Sequence, residues 1–193
     1  APVINIIDES PLIKTFVMKP EEEFSFQTGE FIEVTLDGYG EAPFTPSSSP
    51  LNKDQLEVTV MKTGYVTDRL HEIKTGDVLG IRGPYGRGYP LEKFYGREVI
   101  ILGGGCGFAP IRSLMYNLIA EKDKFKKVTL CYGAKNPEEC IYKPFVEEVR
   151  KIDRFEVRRS VDHGDRSSNK KKGVVTILLE DIRIEAENAV AVI

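Results

Sequence analysis

Val99-Ile-Ile-Leu-Gly-Gly-Gly-Cys-Gly-Phe-Ala-Pro-Ile-Arg112 is the stretch that decides how this chain is read. An apolar run of strand type stops at Gly103, Gly104, Gly105 and Gly107, and Ile111, Leu114, Met115 and Leu118 then recur at helical spacing. A strand that breaks at glycines and restarts as a helix brings unpaired N–H groups and a positive dipole end to one point, and glycines let a phosphate approach the backbone closely. Pro110 suits the first helical turn, where its missing N–H leaves no bond unmade. The order Gly105-x-Gly107-x-x-Pro110 departs from the Gly-x-Gly-x-x-Gly of standard dehydrogenases. It points to another class of nicotinamide-nucleotide domain, or else to a turn that serves the fold alone.

Outward from this stretch the chain changes grammar. From about Gly96 onward, strands and helices alternate: strand Val99–Leu102, helix Ile111–Glu121, strand Val128–Tyr132, a helix near Glu138–Lys151, strand Phe155–Val161. A polar loop over Asp162–Lys172, a helix at Thr176–Glu180 and an apolar strand-type run at Ala189–Ile193 complete the pattern. This predicts a parallel sheet with crossover helices. Residues 1–95 read differently. Short runs at Val3–Ile7, Lys14–Met18, Phe31–Leu36, Leu56–Met61 and Val78–Arg82 are separated by turn residues such as Asp37-Gly38, Gly76-Asp77 and Gly83-Pro84, which predicts a small antiparallel barrel. A short helix is expected at Val66–Ile73. The fold class is thus an N-terminal antiparallel barrel over residues 1–95, followed by a parallel-sheet α/β domain over residues 96–193.

The 193 residues suffice for one large or two small cores, and 41% hydrophobic with 30% charged residues is a globular composition. A net charge of -3, with Lys170–Lys172 as too short a basic run, gives no sign of nucleic-acid binding. No apolar stretch is long enough to span a bilayer and no signal peptide opens the chain, so a cytoplasmic location is expected. Cys106, Cys131 and Cys140 are odd in number and have no metal-ligand spacing, so no metal site is expected.

Two further segments carry candidate chemistry. Gly38-Tyr-Gly-Glu-Ala-Pro-Phe-Thr-Pro-Ser-Ser-Ser-Pro50 sets the ring of Phe44 among the hydroxyls of Thr45, Ser47, Ser48 and Ser49, and the prolines flanking Phe44-Thr45 hold the backbone extended. A flavin needs this mixture of apolar surface and short polar groups; a Ser/Pro-rich loop with no ligand reads the same way. In Val58-Thr-Val-Met-Lys-Thr-Gly-Tyr-Val-Thr-Asp-Arg-Leu70 a strand ends near Lys62, Gly64 turns, and Thr67 begins a helix. The N–H groups near Val66 and Thr67 can hold a second pyrophosphate, or Thr67 is an ordinary cap.

Together these segments resemble the ferredoxin–NADP reductase superfamily, and within it the diaphorase branch. That branch includes sulfhydrogenase gamma subunits, the corresponding chain of anaerobic sulfite reductase, and the electron-transfer subunit of dihydroorotate dehydrogenase. The strings that carry the resemblance are Gly-Glu-Ala-Pro-Phe-Thr-Pro-Ser-Ser-Ser-Pro, Gly80-Ile-Arg-Gly-Pro-Tyr-Gly86, Gly103-Gly-Gly-Cys-Gly-Phe-Ala-Pro110 and Tyr132-Gly-Ala-Lys-Asn-Pro137, in the family's order and over nearly the whole chain.

The resemblance implies an FAD-binding barrel and an NAD(P)H-binding domain that move electrons between the nicotinamide and an iron–sulfur centre or partner subunit. It implies a hetero-oligomeric redox complex with iron–sulfur or hydrogenase-type subunits. The family's Arg-x-Tyr-Ser/Thr flavin pattern falls on Ala42, Pro43, Phe44 and Thr45, so the usual guanidinium is missing at Ala42, a change common in the hydrogenase-type branch. Lys62, then Arg69, are the candidates to balance the flavin phosphates. Val60, Met61, Lys62, Gly64, Val66 and Thr67 complete the flavin contacts, and Thr45 lies near the flavin's reactive nitrogen as the residue assigned to catalysis. Gly104, Gly105, Gly107, Phe108, Ala109, Pro110, Gly133, Ala134 and Lys135 fall to the nicotinamide dinucleotide. Asp162 stands near where NADP-preferring relatives often carry arginine and leans towards NADH, against nearby Arg158, Arg159, His163 and Lys170–Lys172; it equally suits a residue capping its own turn. The family continues with a Cys-Gly-Pro-Pro turn and, in this branch, a cysteine cluster for a [2Fe–2S] centre. Neither string is in this sequence, so a C-terminally incomplete nucleotide domain is expected, with the cluster in a segment absent from the chain. The rival expectation is a non-catalytic scaffold or regulatory subunit that lost its flavin along with the residue-42 arginine.

Overall fold

Leu56, Val58 and Val60 alternate along one strand, and Ile32 and Val34 along another; all five side chains are buried, as period-two apolar patterning requires. They belong to β1 (Val3–Ser10), β2 (Ile13–Met18), β3 (Phe31–Leu36), β4 (Gly40–Phe44), β5 (Leu56–Met61) and β6 (Gly80–Tyr85). These form two three-stranded antiparallel sheets, β1-β2-β5 and β4-β3-β6. Two isolated bridges close the ring: Pro46 with Val58 joins the exit of β4 to β5, and Pro2 with Val78 joins the approach to β6 to the start of β1. The result is the antiparallel barrel, filled by Phe16, Met18, Ile32, Leu56, Leu70 and Leu79. The helix α1 (Tyr65–Leu70) follows β5 and sends Leu70 into that core.

In this computed structural model the described residues are 1–163, 171–183 and 186–193. They divide into two compact units, Ala1–Tyr89 with Ala109–Asn117, and Pro90–Phe108 with Leu118–Ile193. Within the first unit, Arg112 Nη1 lies 2.5 Å from Glu57 Oε2, both side chains 14% exposed.

The second unit is built on β7 (Glu98–Gly104), β8 (Lys127–Ala134), β9 (Phe155–Val161), β10 (Lys171–Lys172) and β11 (Ala189–Val192). Their order is β10-β9-β8-β7-β11 with every neighbour parallel, which is the expected sheet. The chain steps from β7 outward through β8, β9 and β10, then returns to the far side of β7 with β11. Strand order therefore reverses at β7, and a crevice at the carboxyl ends of the strands at such a point is where open α/β sheets bind ligands. The crossover helices are α2 (Phe108–Ala120) and α3 (Lys143–Val149). The latter is shorter than the pattern predicts: a 3₁₀ turn occupies Pro137–Glu139, and Tyr142, at φ 53°, breaks the helix before it. The helix expected at Thr176–Glu180 is a 3₁₀ turn, Val175–Leu179.

Candidate functional site

β7 runs out through Gly103 and Gly104, a single 3₁₀ turn covers Gly105–Gly107, and α2 begins at Phe108. A Cβ built on Gly104 or Gly107 meets nothing within 4 Å, and neither residue is in the left-handed region. Glycine is therefore not needed there by the fold; both positions leave open space in front of the backbone, as a cradle for a phosphate group requires. Gly105 differs, because its φ of +51° demands glycine for the turn itself. Phe108 and Ala109 turn their side chains inward and are buried, while Pro110 is half-buried in the first turn. Behind the turn, Phe108 stacks on Tyr132 and lies against Tyr142 and Phe145. The Tyr132 hydroxyl accepts the buried Ile141 N–H at 2.9 Å. Sequence reasoning places Tyr132 at the end of a strand and within a family string but gives it no role; the signal that could find it is an aromatic near the carboxyl end of a largely apolar, buried strand.

At the next strand end, Gly133 is glycine for a packing reason: a Cβ there would sit 2.7 Å from Val175 Cβ and 3.1 Å from Ser160 Oγ. Ala134 is buried and Lys135 exposed. The carbonyls of Ala134 and Lys135 accept the N–H groups of Asp162 (3.1 Å) and His163 (2.7 Å), which pins Asp162 beside the exit of β8. Among the described residues the Asp162 carboxylate makes no hydrogen bond. The cations close to it in sequence are largely committed: Arg158 pairs with Glu156 at 2.6 Å, Arg159 with Glu147 at 2.9 Å, and Lys171 with Asp181. Lys170 lies outside the described residues. Cys131 and Cys140 are buried, and desolvation holds the Cys131 thiol above its ordinary pKa, so it acts as a small apolar residue.

In the first unit the flavin-type segment is β4 and its exit. Ile32 opposes Phe44 and Val34 opposes Ala42, so Ala42 and Phe44 face the barrel interior and Phe44 rests on the core. Glu41 and Pro43 face outward, and Glu41 pairs with Arg82 at 2.5 Å. The structure separates the hydroxyls that the sequence groups together. Ser47 and Ser48 are buried and serve the barrel: Ser48 Oγ accepts the Glu57 N–H, and Ser47 Oγ lies 3.0 Å from Thr59 Oγ1. Thr59 in turn lies 2.8 Å from Thr15 Oγ1, and Thr15 donates to Glu9 Oε1 at 3.0 Å. The three hydroxyls of Ser47, Thr59 and Thr15 thus form a linked run that ends on the Glu9 carboxylate, which only accepts. Ser49 Oγ accepts the Leu51 N–H. Thr45, half-buried, makes no side-chain hydrogen bond among the described residues and is the hydroxyl left for a ligand.

At the end of β5, Val60 points into the core, and its carbonyl accepts from His71 Nε2 at 2.9 Å, which fixes the proton on that nitrogen. Met61 and Lys62 are exposed, and the Lys62 ammonium has no carboxylate partner among the described residues. Gly64 precedes α1 with open space where a Cβ would be. The Thr67 hydroxyl is fully used within this turn: it accepts from the N–H groups of Thr63 (2.9 Å) and Gly64 (2.8 Å) and donates to the Gly64 carbonyl (2.9 Å). Only its backbone remains for a ligand. Val66 is half-buried against the barrel core. Arg69 is held by both carboxylate oxygens of Glu72, at 3.1 and 2.9 Å.

Comparison with known proteins decides what these two units are. Residues 2–89 match the oxidoreductase FAD-binding domain and residues 101–193 the oxidoreductase NAD-binding domain. The chain carries the FAD-binding and the NAD-binding domain of oxidoreductases. This oxidoreductase is 33% identical over 185 residues to the sulfhydrogenase 2 gamma subunit of Pyrococcus furiosus, a match covering 90% of the chain and 64% of that relative. It is 35% identical over 157 residues to the probable dihydroorotate dehydrogenase B (NAD(+)) electron transfer subunit of Methanocaldococcus jannaschii, covering 79% of the chain and 52% of the relative. The oxidoreductase thus spans between half and two thirds of the length of these relatives. Its fold is similar to that of a ferredoxin NADP+ reductase from Neisseria gonorrhoeae (TM-score 0.83, 18% identity, 98% of this chain and 82% of that one). It is likewise similar to an Amycolatopsis cytochrome P450 reductase (TM-score 0.86, 19% identity, 99% and 59%). Among the described residues no helix is long and apolar enough to cross a membrane.

Proposed function

We propose that the chain is the flavin-dependent electron-transfer, or diaphorase, part of a larger redox protein, moving electrons between NAD(P)H and an iron–sulfur centre or partner subunit through FAD. The observation that carries this reading is the open space before Gly104 and Gly107 at the strand end where sheet order reverses: glycines the fold does not need, where a dinucleotide would lie. Bound flavin supplies the redox chemistry, accepting or giving a hydride and releasing electrons singly.

The chain's residues supply binding and orientation. The Gly104–Gly107 backbone and the first turn of α2 receive the nicotinamide dinucleotide, and Gly133, Ala134 and Lys135 border it. Asp162, pinned beside β8, accepts a ribose hydroxyl and repels a 2′-phosphate, which favours NADH. In the barrel domain, placed at residues 1–95, Phe44 offers its ring to the flavin and Thr45 its unpartnered hydroxyl. Met61 and Lys62 lie along the cofactor, with Lys62 replacing the charge absent at Ala42. The Gly64–Thr67 backbone completes the cradle. The similarity to hydrogenase and dihydroorotate dehydrogenase subunits favours a hetero-oligomeric redox complex, with iron–sulfur or hydrogenase-type subunits as its partners.

The test is anaerobic stopped-flow absorption of the chain reconstituted with FAD and mixed with NADH or NADPH. The expected result is loss of the flavin band on mixing, faster with NADH. A folded chain that retains no flavin overturns the reading in favour of a scaffold subunit.

A further inference from the structure

Among the described residues, Tyr142 and Arg154 are the residues other than glycine with positive φ. Arg154 is exposed, whereas Tyr142 is only 4% exposed and stands at φ 53° and ψ 37° immediately before α3. The left-handed region is rare and unfavourable for a bulky side chain, and glycine or asparagine occupies it more readily. Such a conformation persists only where its surroundings over-determine it, and it points to function. The Tyr142 ring lies 5.8 Å from that of Phe108 with the planes at 60°, a tilted approach of edge towards face. Phe108 is fully buried, and Tyr132 and Phe145 complete the aromatic surroundings of its ring. The backbone that enters Tyr142 is fixed too, because the preceding N–H, of Ile141, is held by the Tyr132 hydroxyl.

Phe108 is also the residue that closes the glycine turn, since its N–H donates back to the Gly105 carbonyl. Gly104, Gly105 and Gly107 bring no side chain to pack, so Phe108 is the buried anchor at the exit of the turn. We propose that Tyr142 is a positioning residue for the nicotinamide dinucleotide: its left-handed backbone sets its ring against Phe108, and that contact keeps the Gly105–Gly107 turn in the shape that receives the phosphates. This rests on the reading of the glycine turn given above. Tyr142 touches no ligand in this arrangement. It acts through Phe108, and a turn already held in shape leaves little to order when the nucleotide arrives. The four rings and the turn lie in one compact unit, apart from the barrel strands, so the effect falls on nicotinamide-nucleotide binding and not on flavin binding.

The experiment measures Kd for NADH and for FAD, melting temperature, and amide hydrogen exchange at residues 106–108 of the cofactor-free chain. It compares wild type with Tyr142→Phe, which keeps the ring, Tyr142→Asn, which suits the left-handed backbone without a ring, and Tyr142→Leu, which keeps apolar bulk. Having to order a loosened turn weakens binding by about 2- to 10-fold. The expected result is a rise of that size in the NADH Kd of the Asn and Leu variants, with faster exchange at residues 106–108 and an unchanged Kd for FAD. Tyr142→Phe should restore near wild-type NADH affinity. Unaltered NADH affinity in a folded variant without the ring overturns the positioning role. So does equal loss in Tyr142→Phe, or loss of FAD and NADH affinity together in step with the melting temperature. Should both ring-less variants fail to fold, the wild-type Phe108 amide decides: a turn held closed protects it in the cofactor-free chain, and exchange at the rate of an open loop overturns the proposal. A wild-type chain that takes up FAD but not NADH overturns the reading of the glycine turn itself.

Discussion

Phe108 and Tyr132 stack with ring centroids 4.5 Å apart and planes inclined by 27°. One ring follows the last glycine of the Gly105–Gly107 turn, and the other lies two residues before the end of the neighbouring strand, β8. The Tyr132 hydroxyl meanwhile holds the Ile141 N–H, so a single side chain supports both loops that leave the top of the sheet. Tyr132→Phe keeps the stack and strands a buried N–H, which costs about 1–3 kcal/mol. The expected outcome is a lower melting temperature and weaker nicotinamide-nucleotide binding with flavin content unchanged, read by thermal denaturation and nucleotide titration of one preparation.

The glycines at the strand ends should respond in opposite ways. Gly104→Ala and Gly107→Ala fill open space at ordinary φ, so folding stability should stay within about 1 kcal/mol of wild type, while Kd for NADH rises about tenfold or more, equivalent to ~1.4 kcal/mol. Gly133→Ala drives a Cβ into Val175 and should destabilise the fold by about 1–3 kcal/mol. Urea denaturation alongside NADH titration separates the two classes; a Gly107→Ala protein with unaltered NADH affinity would falsify the cradle.

Lys62, two residues before Gly64, has no carboxylate partner among the described residues. Lys62→Met should raise Kd for FAD and FMN alike, by about tenfold, because a charge-assisted contact to phosphate is lost, and should flatten the salt dependence of binding. Lys62→Arg should retain most of the affinity. Titrations at low and high ionic strength test this.

His71 is desolvated, and that burial holds its pKa below the ordinary 6.5 despite the bond to Val60. A depressed histidine pKa means that the unfolded chain takes up the proton first. Its contribution to stability is complete above about pH 6.5 and is lost as pH falls towards the folded-state value. Melting temperatures measured from pH 8 to pH 5 should decline below about 6.5. His71→Gln should remove that part of the decline; an identical profile in the variant excludes His71 as its source.

Much of this architecture was legible in the sequence because it rests on periodicity. Phe31–Leu36, Leu56–Met61 and Phe155–Val161 form strands at the predicted limits, and the change from barrel to parallel sheet follows the change in pattern. β4 was not legible, since Gly40 and Pro43 are poor strand formers. It survives because it is an edge of its sheet, paired only with β3, where a missing N–H is tolerated. The break at Tyr142 was also hidden, because a left-handed tyrosine has no local signature and is set by its surroundings. At the site, residue types were readable but allegiances were not. Ser47, Ser48 and Thr67 look like ligand groups in a string of letters, yet their hydroxyls serve the barrel and its turn, while Thr45, from the same string, is left unbonded.

The run of hydroxyls from Ser47 to Glu9 has a kinetic meaning. It stitches the segment after Thr45 to β5 and β2 with bonds that form only when those strands are in register. The shape of that segment is therefore settled when the barrel closes, ahead of any encounter with a small molecule. Under the flavin reading proposed above, capture there is a docking event on a finished surface, with little ordering entropy left to lose. The apoprotein should hence take up its cofactor late and reversibly, as a folded receptor rather than as a chain waiting to be folded by it.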